Sequence, residues 1–167
     1  MAAQSSLLYP ATRRNCGTLR SEDSGTRGGR PGSERSRSVP YSGFRIIVVE
    51  DDPGMRGSLE FLLEAHGFDV AAFAALDHVP EDPAPGWACA ILDVHLAGAN
   101  GMAVYEVLRA RGGALPAIFI TGQADEAMRF HARRLKAVAL LEKPFSDDAL
   151  LEAVGRAVAA AAVPAAG

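Results

Sequence analysis

The sequence predicts an α/β fold, a doubly wound parallel sheet of five strands, on three observations. Short, nearly uninterrupted apolar runs recur along the chain, as expected of strands covered on both faces. Between them the apolar residues take helical spacing. Polar residues stand where the apolar runs end.

The first run, Phe44 to Val49, reads as a buried strand. Asp52 and Pro53 then supply an N-cap and a first-turn proline, and Met55, Leu59, Leu62 and Leu63 share one helical face. His66-Gly67 closes this helix, and Phe68 to Phe73 forms the second strand. Ala74 to Asp82 reads as a short, poorly patterned second helix interrupted by Pro80, Pro83 and Pro85.

Trp87 to Leu92 is the third strand and ends at Asp93. Past Gly101, the residues Val104, Val107 and Leu108 mark a third helix, which Gly112-Gly113 stops. Ala117 to Ile120 forms the fourth strand, Asp125 to Leu135 the fourth helix and Ala137 to Leu141 the fifth strand. From Ser146 a fifth helix places Leu150, Leu151, Val154 and Val158 inward. Connections this short permit only local crossovers, which makes the sheet parallel and puts its ligand site at the carboxyl edge.

The chain has 167 residues, 49% hydrophobic and 22% charged, which suits one such domain and would cramp two. Residues 1 to 43 are rich in Ser, Gly and Arg and carry seven Arg against three acids. They are expected to be a disordered extension. A basic arm for nucleic acid or anionic lipid, or a translation start nearer Val39, are the competing readings. The domain is expected over 44–160, followed by a flexible Ala-rich tail over 161–167. No output domain is expected after the fifth helix.

From residue 44 onward the chain carries ten basic and seventeen acidic residues. That balance argues against a broad nucleic-acid surface, so no direct DNA binding is expected. Cys16 and Cys89 are too far apart in sequence and too dissimilar in context to encode a disulfide framework or a zinc site. No apolar run approaches the roughly 18 residues of a membrane span, and no secretory leader is visible. A cytoplasmic location and no membrane partner are expected.

The chemistry is expected at the strand ends: Glu50 and Asp51 after the first strand, Asp93 after the third, Thr121 after the fourth and Lys143 after the fifth. Three clustered carboxylates repel one another unless a cation neutralises them, and Mg²⁺ together with Lys143 would do so. A carboxylate can take up a phosphoryl group as an acyl phosphate, with metal, ammonium and hydroxyl groups neutralising its oxygens. Asp52 is read as a helix cap. The four histidines show no ligand spacing, and Trp87 and Cys89 are read as core. Gln123 and the His95 side chain are placed over the mouth of the site, where they would affect the lifetime of the acyl phosphate.

Val48-Val49-Glu50-Asp51-Asp52, Ile91-Leu92-Asp93, Ile120-Thr121-Gly122 and Leu141-Glu142-Lys143-Pro144-Phe145 together resemble the receiver domains of two-component response regulators. The likeness covers Phe44 to about Ala159. It implies a flavodoxin-like sheet of strand order 2-1-3-4-5. It implies Asp93 as phosphoacceptor and Mg²⁺ ligand, Asp51 as a direct ligand, Glu50 as a ligand through water, and the His95 main-chain carbonyl as the last protein ligand. Lys143 would pair with phosphoryl oxygens, before a cis bond to Pro144, and Thr121 would swing towards them.

The implied partners are a histidine kinase or phosphotransfer protein and an unidentified target protein. The chain would be a monomer or a weak homodimer through the face of the fourth helix, fifth strand and fifth helix. Apart from accepting the phosphoryl group on itself and slowly losing it, it would not act as an enzyme.

Three positions depart from the family pattern. Leu140 stands where an aromatic switch residue is usual, Ala97 where a proline is common, and Lys136 where a glycine ends the fourth helix; Gly101 matches. The expected function is a stand-alone phosphorelay receiver. A phosphorylation-independent interaction module is the alternative. A hydrolase with an Asp nucleophile is disfavoured, because neither a second acid for turnover nor a cap is visible.

Overall fold

Alternation along β1 (Arg45–Val49) divides the interior into two apolar layers. The computed structural model describes residues 41–79, 87–112 and 115–162. Ile47 and Val49 of β1 pack on one side of the sheet with Leu92 and Phe119, under Met102, Tyr105, Leu108, Ala132 and Leu135. Ile46 and Val48 pack on the other with Ile91, Ile118 and Ile120, under Leu59, Leu63, Leu150 and Val154. With a helix layer on each face, central strands have no polar side to show. This is why β1, β3 (Trp87–Asp93) and β6 (Ala117–Thr121) are apolar almost throughout.

The main sheet runs β2 (Asp69–Phe73), β1, β3, β6, β7 (Ala139–Glu142), with every pairing parallel. Numbered within this sheet alone, that is the expected order 2-1-3-4-5. The edge strands β2 and β7 are only partly covered, as their mixed composition suggests. Two further short strands, β4 (His95–Leu96) and β5 (Ala99–Asn100), form an antiparallel hairpin just past β3.

The helices start where the sequence places their caps. α1 (Pro53–Ala65) begins with Asp52, whose side chain accepts from the Met55 amide at 2.6 Å, and Pro53 stands in its first turn. α2 (Gly101–Gly112) follows the hairpin. α3 (Glu126–Arg134) is capped by Asp125, which accepts from the Met128 amide at 2.6 Å. α4 (Asp147–Ala162) buries Leu150, Val154 and Val158.

The second predicted helix, Ala74 to Asp82, is corrected. Among the described residues of this stretch only a single 3-10 turn forms, at Leu76–His78. The stretch lacks a side-chain cap, and a proline soon follows, so no second turn can be nucleated cheaply. The described residues thus hold four α-helices instead of five. Residues 80–86 lie outside the described residues.

The packed region also begins slightly earlier than Phe44. Tyr41 stacks on Phe68, with ring centroids 4.6 Å apart, and the Phe44 amide donates to the Tyr41 carbonyl. Residues 1–40 and 163–167, which include most of the expected extension and tail, lie outside the described residues. Cys89 is fully buried as expected, whereas Trp87 is half-exposed with the Arg45 guanidinium 4.1 Å above its ring. Among the described residues, no helix is long and apolar enough to cross a membrane.

Candidate functional site

Parallel strands end together, so the residues closing β1, β3, β6 and β7 share one edge. Glu50 follows Val49, Asp93 closes β3, Thr121 closes β6, and Lys143 follows Glu142. The crossing is tied by main-chain bonds from the Val94 amide to Ile120 O and from the Lys143 amide to Thr121 O, both 2.8 Å. The Lys143-Pro144 bond is cis, as the family pattern implies.

Lys143 joins the acids. Its Nζ donates to Glu50 Oε2 at 2.9 Å and also to Asp93 Oδ2. Glu50 and Asp93 are almost wholly buried, at 1% and 6% exposure, so neither charge is eased by bulk water. Burial raises the Glu50 carboxyl above the ordinary carboxylate range, and the Lys143 bond only partly opposes this. For Asp93 burial acts in the same direction, but the Lys143 bond and the His95 amide, 2.8 Å from Oδ1, outweigh it and hold the carboxyl below that range. Burial would lower the Lys143 ammonium, yet its bonds to Asp93 and Glu50 carry it upward.

Asp51 completes the acidic group. One carboxylate oxygen from each of Glu50, Asp51 and Asp93 lies within 4.8 Å of the others. The Asp51 carboxylate accepts from the Ala97 amide at 3.1 Å. A proline at 97 would have no hydrogen to donate, so the departure from the family pattern supplies a bond. All three donors are hard carboxylate oxygens, without nitrogen or sulfur, a set suited to Mg²⁺ and poorly suited to a zinc site.

Thr121 is fully buried, and its hydroxyl donates to Gln123 O at 2.9 Å. The same oxygen lies 3.3 Å from His95 Nδ1 and accepts from the Gln123 amide at 3.3 Å. The hydroxyl is therefore engaged locally. His95 and Gln123 are both exposed. Asp52 serves α1 as its cap, as expected.

Arg56 was not singled out from the sequence. One guanidinium nitrogen, Nη1, donates to the main-chain oxygens of Glu50 at 2.7 Å and Asp51 at 3.1 Å. A lone arginine one turn into a helix ordinarily reads as part of a solvated face. The available signal was its spacing, just after an acidic pair.

The sequence matches the response regulator receiver domain family over residues 46–155. It is similar to the transcriptional regulatory protein FixJ of Bradyrhizobium diazoefficiens, 37% identical over 68% of this chain and 56% of that protein. The chain thus spans about half the length of this curated relative. The fold is similar to full-length FixJ from B. japonicum, with 34% identity, a TM-score of 0.60, and coverage of 75% of this chain and 62% of that one. It is also similar to the non-phosphorylated HemR receiver domain from Leptospira biflexa, at 27% identity and a TM-score of 0.62 over 68% of this chain and 93% of that one. With the family matched across most of the described fold and its strand-end acids and lysine gathered at one edge, the chain belongs to the response regulator receiver domains of two-component systems.

Proposed function

We propose that this receiver accepts a phosphoryl group on Asp93 in an Mg²⁺-dependent reaction and passes the signal on by protein contact. The observation that carries this reading is the pair of hydrogen bonds that Lys143 Nζ donates to Asp93 and Glu50, with Asp51 within metal-bridging reach. Asp51 and Asp93 would hold Mg²⁺ directly, Glu50 through water, and the His95 main-chain carbonyl would add the last protein ligand. When bound, the ion supplies positive charge against the phosphoryl oxygens and lets the three carboxylates stay ionised together.

Asp93 provides the nucleophile. A carboxylate oxygen forms a bond to phosphorus while the donor's bond to phosphorus breaks, and the electron pair leaves with the donor. Lys143 already lies on Asp93, so its ammonium needs little movement to meet an oxygen of the incoming group. Thr121 would give up its bond to the Gln123 carbonyl and donate to the phosphoryl group instead. A histidine kinase or phosphotransfer protein is the proposed donor. The proposed output face is α3, β7 and α4, where Arg129, Arg133, Arg134 and Lys136 are all exposed.

Incubation with acetyl phosphate and Mg²⁺, read by intact mass, tests the reading. Wild type should gain one phosphoryl group and Asp93→Asn none. Leu140 favours a second reading, a phosphorylation-independent interaction module, because it is half-buried where receivers usually place the aromatic switch. Wild type that stays unmodified with donor and Mg²⁺ would select that module.

A further inference from the structure

Asp51 stands two residues beyond the end of β1, in a bend with no ladder to fix its backbone. Its orientation nevertheless decides whether its carboxylate meets those of Glu50 and Asp93. The Glu50 oxygen belongs to the peptide plane before the Asp51 Cα, and the Asp51 oxygen to the plane after it. Arg56 Nη1 holds both, at 2.7 and 3.1 Å. Holding both planes restricts φ and ψ of Asp51 together, and so the direction of its Cα–Cβ bond.

We infer that Arg56 is a positioning residue for the Mg²⁺ site, acting through the backbone of Asp51. Arg56 is half-buried, and the ion pairs found among the described residues do not include it. Its hydrogen-bonding capacity is directed at main-chain oxygen. Arg56 itself is anchored, since it lies in the first turns of α1, where its amide donates to the Asp52 carbonyl at 2.9 Å. The Ala97 amide holds the Asp51 carboxylate at its far end, so Arg56 and Ala97 restrain one residue from backbone and side chain separately. Groups that orient metal ligands typically alter affinity by about 10–100-fold when removed.

The inference rests on the Mg²⁺ reading of the acidic cluster, and calorimetric titration of the full chain with Mg²⁺ separates the two. Arg56→Met keeps the aliphatic length and removes the donors. It is expected to weaken Mg²⁺ binding about tenfold. Arg56→Lys, which can still donate to carbonyl oxygen, should fall between Met and wild type. In phosphorylation by acetyl phosphate, the Mg²⁺ concentration for half-maximal rate should rise in Arg56→Met, while the rate at saturating Mg²⁺ stays within about twofold of wild type.

Arg56→Met that is folded by circular dichroism and binds Mg²⁺ like wild type would overturn the positioning role alone. Wild type that binds no Mg²⁺ would overturn the site reading and this inference with it. Should Arg56→Met fail to fold, Arg56→Lys decides: weakened binding supports the inference, and wild-type binding by Arg56→Lys together with wild-type binding by a folded Arg56→Gln overturns it.

Discussion

The Gly101 Cα lies so close to the main-chain carbonyl of Asp93 that a Cβ at 101 would stand 1.9 Å from that oxygen. The contact arises because the hairpin after β3 returns the chain to its starting point, with the Gly101 amide donating to Val94 O at 3.0 Å. α2 therefore begins against the proposed phosphoacceptor. Gly101→Ala must push the backbone of Asp93 or the start of α2, at a cost of about 1–3 kcal/mol or more. Urea denaturation should show the loss, and acetyl phosphate labelling of Asp93 should slow in the protein that remains folded.

Lys143→Met would leave two buried carboxylates without their shared cation. Removing one partner from a buried charge cluster is typically costly, and with Lys143 26% exposed we expect about 2 kcal/mol. The variant should also accept phosphoryl groups at least tenfold more slowly, by the general size of a lost charge contact to transferring oxygens. Its melting temperature should rise more steeply with Mg²⁺ than that of wild type, since the ion would replace missing positive charge. Equal Mg²⁺ responses would mean that lysine and metal do not act on the same acids.

Lys136 ends α3 with φ of 56°, the left-handed conformation that a side chain disfavours. Its amide donates to Arg133 O and the Ala137 amide to Ala132 O, both at 3.0 Å, the paired bonds of a Schellman ending. Lys136→Gly should stabilise the protein by about 0.5–1 kcal/mol. Lys136→Ala removes the same charge but keeps the strained backbone, and should not stabilise. Thermal melts of the two variants separate conformation from charge.

Burial pushes the Cys89 thiol up to about 12, from an ordinary value of 9.0. The folded-state value lies above the unfolded one, so this contribution to stability is fully present below about 9 and is lost as pH rises towards about 12. Denaturant midpoints measured across that interval should fall more steeply for wild type than for Cys89→Ala. Parallel curves would show that the thiol does not contribute. At neutral pH, iodoacetamide should leave Cys89 unmodified in the folded protein and label it after unfolding.

Much of the fold was legible because a strand covered on both faces must be apolar along its length. β1, β3 and β6 announce themselves for that reason, and Asp52 and Asp125 mark their helices because orphan amides require acceptors. The second helix was misread because spacing without a cap or an uninterrupted turn does not nucleate one. Of the three residues that mark the helix after Gly101, Val104 and Leu108 are buried while Val107 is 38% exposed: periodicity identifies a face but not its edge.

The site shows the same division. Asp93, Glu50, Asp51, Thr121 and Lys143 could be picked from sequence because a polar residue closing a buried apolar run needs a reason to be there. The contacts that Arg56, Ala97 and Gly101 make could not. Their parts are played through main-chain atoms, an arginine on two carbonyls, an amide on a carboxylate and a missing Cβ against an oxygen. Side-chain identity determined which groups the strands bring to their common edge. Only the folded backbone decided how those groups are held, because its donors and acceptors are alike at nearly every residue and acquire direction only when the chain returns on itself.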